Sequence, residues 1–300
     1  MYLSTDHYST GFPAASAAPC RVTTLHEQGS GSCNEDVLLH GDNLCGVFDG
    51  ATSLAGTTSL NSIPGGLRAA SLAAETFRRQ TGSLAQTAEE ANHRIRAAQG
   101  YARIPQDRRL HLWSTSLAVV RLDHASFEYC HTGDCMIMLL HHDSGHTLLT
   151  PELDIDSSTL ELWRQSDGTG YDIHSLLAGQ IAGVRLQMNR SYGVLNGEPE
   201  AVDFLRHGRH SLAGVSDILL FTDGLMLPKA DPGHPTDWHR FAAIYRRGGL
   251  AALRDHVRAA QESDPACRLY PRFKMHDDIA AVAVSFGDPG VPAHTPAQSC

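Results

Sequence analysis

The sequence predicts an α+β layered domain, on three observations. Short apolar strands open and close the chain, a pair of helical stretches follows the first strands, and regular strand-helix alternation is absent. Two antiparallel sheets with helices outside satisfy that order, while periodicity alone leaves their stacking open.

The elements follow in order. "RVTTL" (21–25), "DVLLHGD" (36–42) and "LCGVF" (44–48) are apolar runs punctuated by Gly and Asn, and read as strands. From Pro64, the residues Leu67, Ala70, Ala74 and Phe77 share one helical face, with proline suitably placed in the first turn. From Ser83, the residues Leu84, Ala88, Ala91, Ile95 and Ala98 do the same, and Ser83 with Gln86 forms a capping-box pattern. "STSLAVVRL" (114–122), "SFEYCHT" (126–132), "CMIMLLHH" (135–142) and "HTLLT" (146–150) then read as an antiparallel meander. Residues 151–197 are mixed, with a short helix near "LELW", and read as an insertion or flap. "HSLAGVSDILLFTDGL" (210–225) contains a long buried strand, "WHRFAAIYRR" and "LAALRDHVRAAQ" carry helical periodicity, and "DDIAAVAVSF" (277–286) supplies the last strand.

These readings give a lead-in over 1–19, one domain over 20–287 and a dispensable tail over 288–300 rich in proline and small polar residues. Lys plus Arg number 24 against 33 for Asp plus Glu, a formal charge of −9. That balance argues against general affinity for nucleic acid or anionic lipid and suits bound cations. No apolar run approaches the roughly 20 residues that cross a bilayer, and the first residues lack the basic start and apolar block of a secretory signal. Seven cysteines without a C-x-x-C pair fit reduced thiols, so a cytoplasmic location is expected. "HHDSGH" (141–146) carries a turn-forming Asp-Ser-Gly between apolar runs and reads as a hairpin loop rather than a metal site.

Four places share one design: "NED" (34–36) precedes a strand, "VFDG" (47–50) and "LLFTDG" (219–224) each end one, and "HDD" (276–278) begins the last. Each Asp-Gly taken singly reads as a surface turn. A turn, however, has no need to follow a buried strand, and the repetition points elsewhere. If these ends meet, Glu35, Asp36, Asp49, Asp223 and Asp277 crowd together and repel unless compensated. No comparable cluster of lysine or arginine adjoins them, so a metal ion is the expected compensation. Carboxylate oxygens without clustered thiolate or imidazole suit Mg or Mn rather than Zn or Cu. Gly50, lacking a side chain, lets its carbonyl approach a cation or water.

The order and wording of "NED", "VFDG", "STSLAVV", "HTGDCMIML", "LLFTDGL" and "DDIAAVAVSF" resemble the metal-dependent protein phosphatases, the PPM or phosphatase 2C-like family, in a bacterial-type form. The resemblance spans nearly the whole chain. It implies a four-layer α/β/β/α sandwich, two central antiparallel sheets flanked by helices. It also implies hydrolysis of phosphoserine or phosphothreonine in proteins by a hydroxide bridging two Mn or Mg ions. Carried over, Asp49 bridges the two ions and the Gly50 carbonyl binds one of them. Glu35, Asp223 and Asp277 complete the ligand shell directly or through water, and Asp36 orients a bound water. Asp134 matches the position that helps hold a third, weaker ion in some relatives, and Thr115 a supporting position. The implied partner is a phosphorylated protein in a signalling role.

Two departures from the family pattern stand out. Gly31 occupies the position where many relatives carry a phosphate-gripping arginine, and Ala51 the position of a histidine in eukaryotic members. The N–H groups of "GSGS" (29–32) offer a partial substitute for the arginine. Two alternatives stay open: a catalytically weak or inactive phosphoprotein-binding module of the same fold, and a phosphatase of small phosphomonoesters.

Overall fold

Strand pairing in the computed structural model, which describes residues 20–52, 63–79, 81–166 and 171–287, forms two five-stranded antiparallel sheets. The expected lead-in and tail lie outside the described residues. One sheet runs β1-β10-β9-β6-β7, from β1 (Cys20–Glu27), β6 (Met136–His141), β7 (His146–Leu148), β9 (Val215–Phe221) and β10 (Ile279–Phe286). The other runs β2-β3-β4-β5-β8, from β2 (Val37–His40), β3 (Leu44–Gly50), β4 (Thr115–Leu122), β5 (Ser126–Thr132) and β8 (Arg206–Ser211).

Alternation along the strands determines what each face meets. Cys45 and Val47 of β3, Ala118 and Val120 of β4, Ile137 of β6, Leu220 of β9 and Val282 of β10 form the dry layer between the sheets. Their neighbours in sequence turn outward. Phe48, Leu117 and Val119 pack under α1 (Gly65–Arg79) and α2 (Leu84–Tyr101), against Ala70, Ala74, Phe77 and Ile95. On the far side Leu219, Phe221 and Ala281 pack against Phe241, Leu253 and Val257 of the last helix. The result is the expected four-layer α/β/β/α sandwich.

Most elements lie where the sequence puts them. The capping box of α2 is present, Ser83 Oγ accepting from Gln86 N–H at 3.3 Å and Gln86 Oε1 accepting from Ser83 N–H at 3.2 Å. Ser83→Ala is expected to cost about 1 kcal/mol, read as a lower urea midpoint with an unchanged slope. "LELW" lies in α3 (Ser157–Gln165), followed by the short α4 (Ile173–Leu176) and α5 (Ala178–Arg185). α6 (Trp238–Glu262) joins the two expected helices across a kink, where Gly249 adopts φ 66°, a left-handed value suited to glycine. "HHDSGH" is the hairpin between β6 and β7, closed by His141 N–H donating to Gly145 O at 3.0 Å.

The meander expected over 114–150 is broken. β4 and β5 pair in one sheet and β6 and β7 in the other, so the chain changes sheets at Thr132-Gly133-Asp134-Cys135. Gly133 makes the corner with φ 79°. The short connection by itself reads as a hairpin, and only tertiary pairing separates the two strands. β8 was not foreseen, because "RHGRHS" is polar and forms an exposed edge beside β5.

Candidate metal centre

Register carries the acids to one end of the gap between the sheets. Val37 at the start of β2 pairs with Phe48 near the end of β3, and Phe221 at the end of β9 pairs with both Ala281 of β10 and Met136 of β6. The beginnings of β2, β6 and β10 and the ends of β3 and β9 are therefore neighbours. Parity then sets direction: Asp49 shares its face of β3 with Cys45 and Val47, which point into the gap. Asp36, Asp49, Asp134, Asp223 and Asp277 all line one cavity of about 670 Å³. Glu35 is buried beside it, tied to the rim by a 2.6 Å hydrogen bond from Thr52 Oγ1.

The first Asp-Gly pair is not a turn, whereas Asp223 and Gly224 open a single 3-10 turn (Asp223–Leu225) directly after β9. Asp49 and Gly50 are still within β3, paired with Ser116 and Thr115 of β4. A methyl group on Gly50 would lie 2.5 Å from the Glu35 carbonyl oxygen and equally close to the backbone of Gly66 in α1. One on Gly224 would lie 1.9 Å from the Asp278 carbonyl oxygen. Each glycine thus lets a second acid-bearing segment approach the strand end that carries the first.

Several neighbours hold the acids in place. Asp36 accepts from Thr222 Oγ1 at 2.7 Å. Asp278, which the sequence reading left without a role, accepts from Gly29 N–H at 2.7 Å and Glu35 N–H at 2.9 Å, joining the first and last acidic segments. Arg258 of α6 donates to the Asp277 carbonyl at 2.8 Å and to Glu27 at 2.8 Å, anchoring the entry to β10. Thr115 Oγ1 is satisfied locally by the Ser116 carbonyl at 2.9 Å, consistent with a supporting place in the strand.

Loss of water and mutual repulsion raise the carboxyl groups of Asp36, Asp49 and Asp223 well above the ordinary range. Burial also raises Glu35, against the opposing bond from Thr52. Asp156, immediately before α3, rises to about 6 through burial and the nearby Asp134. Glu35 Oε1 and Asp134 Oδ1 are buried without a hydrogen-bond partner. Orphaned carboxylate oxygens beside repelling acids are a donor set that fits hard divalent cations. Among the described residues no three His, Cys, Asp or Glu side chains stand close enough to share one ion. The acids are therefore spread around the lining of the cavity rather than gathered at one point.

A stability prediction follows from the raised carboxyls. An acid whose folded-state value is raised contributes stability below its unfolded value, about 4, and loses it as pH rises through the folded value. In chelator, Asp223→Asn should raise the melting temperature, with a gain over wild type that grows from about pH 4 toward neutrality. Thermal melts across that range check it, and a gain that shrinks with pH would contradict the repulsion.

Two expectations need correction. A lysine does adjoin the acids: Lys274 Nζ lies 2.8 Å from Asp277 Oδ1 and lines the same cavity. It was legible in "FKMHDD", but a single lysine does not register as a cluster. The "GSGS" loop is also less free than expected, because Gly29 N–H is taken by Asp278 and Ser30 N–H by the His276 carbonyl at 2.9 Å. Residues 151–197 add Arg185 of α5, which lines the cavity and donates to the Thr52 carbonyl at 3.3 Å.

No protein-family model matches the chain, and no curated protein matches it. Solved structures do. The Mycobacterium tuberculosis serine/threonine phosphatase PstP/Ppp superposes with a TM-score of 0.56 at 16% identity, covering 90% of this chain and 99% of its own. The PstP catalytic domain in complex with two manganese ions gives 0.54 at 16% identity, over 90% and 99% of the two chains. PppA, a key regulatory component of T6SS in Pseudomonas aeruginosa, gives 0.55 at 17% identity, over 89% and 98%. At these identities the likeness concerns architecture, and the chain has the fold of the PPM-type serine/threonine phosphatases.

Proposed function

We propose that this chain is a metal-dependent phosphatase of phosphoserine and phosphothreonine in proteins. The observation that carries the reading is the convergence of Glu35, Asp36, Asp49, Asp134, Asp223 and Asp277, from segments far apart in sequence, on one cavity or its rim. The shared fold supports it, since a neighbour of that architecture binds two manganese ions.

Asp49, Asp223 and Asp277, with Glu35 and the Gly50 carbonyl, would hold two Mn or Mg ions, and Asp134 a third, weaker one. Bound there, the ions would acidify water and neutralise charge on the phosphoryl oxygens. Asp36, which accepts from Thr222 Oγ1, would orient the attacking water. Gly50 and Gly224 keep the acid-bearing segments within reach of one another. No nucleophilic side chain is needed. The substrate we propose is a phosphorylated protein in a signalling pathway, and no helix among the described residues is long and apolar enough to cross a membrane.

The test is phosphate release by purified protein with Mn, from phosphothreonine peptides and from small phosphomonoesters. Release from the peptides supports the proposal; release confined to small esters replaces the substrate class. Absence of release from both favours the non-catalytic phosphoprotein-binding module, the reading to which Gly31 and Ala51 lend weight.

A further inference from the structure

Lys274 sits among acids that have every reason to be bound by something else. Its side chain is 29% exposed, and its ammonium pairs with Asp277 at 2.8 Å. The loop that carries it is fixed from behind by Arg272, which donates to the Met275 carbonyl at 3.0 Å, the Tyr270 carbonyl at 2.8 Å and Asp264 at 3.0 Å. Among the described residues lining the large cavity, Lys274 and Arg185 are the lysine and arginine side chains. Lys274 also lines an adjoining cavity of about 200 Å³, so it stands where the two meet.

A phosphoryl dianion entering this ring of carboxylates needs a positive side chain to hold it. Gly31 cannot supply one, and the nearby Gly29 and Ser30 N–H groups are committed to Asp278 and His276. We propose that Lys274 is the residue that grips the substrate phosphoryl group in this chain. The inference rests on the phosphatase reading. Asp277 Oδ1 is shared between the ammonium and the Asp278 N–H, which donates at 2.8 Å. When Asp277 turns toward an ion, the ammonium loses its partner but stays at the cavity wall, where an incoming phosphoryl oxygen replaces the carboxylate. A flexible lysine stem suits that exchange better than a rigid guanidinium fork.

The experiment compares wild type, Lys274→Met and Lys274→Arg, each first titrated with Mn by calorimetry. Inorganic phosphate is then titrated into the Mn-loaded proteins, and KM and kcat are measured on a phosphothreonine peptide. Lys274→Met should keep or tighten Mn uptake, weaken inorganic phosphate about tenfold or more, and raise KM similarly, with kcat held within about threefold. Lys274→Arg should restore part of the phosphate affinity. Unchanged phosphate affinity and KM in Mn-loaded Lys274→Met would overturn the inference while leaving the phosphatase reading intact. Wild type that takes up no Mn, or releases no phosphate, would overturn both. Circular dichroism verifies folding, and Lys274→Gln carries the same comparison if the methionine variant does not fold.

Discussion

Asp49→Asn is expected to lower manganese-dependent phosphate release by about a thousandfold or more, equivalent to roughly 4 kcal/mol of barrier. The residue ends a run of β3 whose alternate members, Cys45 and Val47, are locked into the layer between the sheets. Its carboxylate therefore faces the cavity by the pleat of the strand. Burial, with repulsion from Asp36, Asp223, Asp134 and Asp277, raises its carboxyl well above the ordinary range. An amide of the same shape keeps the packing and removes the charge, so folding survives while ion binding and turnover collapse together. Initial rates at saturating Mn, with calorimetry on the same preparation, provide the check. Retained activity in Asp49→Asn would remove the residue from the centre of the chemistry.

Gly224→Ala should be the most damaging small substitution in the fold. The added methyl would lie 1.9 Å from the Asp278 carbonyl oxygen and 3.0 Å from its carbonyl carbon, both backbone atoms that no rotamer change can move. Relief requires the end of β9 to part from the start of β10, where Thr222 N–H donates to the Ala280 carbonyl at 3.0 Å. Overpacking of this kind costs about 3 kcal/mol, or roughly 10 °C in melting temperature. It would also displace Asp223 from Asp277, so Mn uptake should weaken even where the protein remains folded. A methyl at Gly100, which meets nothing within 4 Å, is the matched control and should change stability far less. Equal melting temperatures for the two variants would show that the strand ends are not held this closely.

Much of the fold was legible because its cues are local. Apolar runs bounded by turn residues identified nine strands, the capping box located the start of α2, and helical periodicity marked the two halves of α6. What escaped were features that depend on contacts between distant segments. The change of sheets at Gly133 was missed because two strands joined by a short Gly-Asp connection read as a hairpin unless their tertiary partners are known. β8 escaped because an exposed edge strand needs little hydrophobicity.

The candidate centre divides along the same line. Acids at the limits of apolar runs are visible in sequence, and Glu35, Asp36, Asp49, Asp134, Asp223 and Asp277 do gather at one end of the sandwich. The reason for the glycines was not visible, because it lies in what stands opposite: the Glu35 carbonyl against Gly50, and the Asp278 carbonyl against Gly224. Lys274 was overlooked because its significance comes from burial among acids, whereas its composition signal is one lysine in a polar loop. Asp156 and Arg185 entered from residues 151–197, whose mixed pattern specifies little beyond a short helix.

Calorimetric titration of manganese into wild-type protein tests the central claim most directly. Saturable uptake that falls sharply in Asp49→Asn and in Asp223→Asn is the expected result. Absence of uptake at millimolar manganese, or uptake that both variants retain in full, would contradict a cation centre at these strand ends.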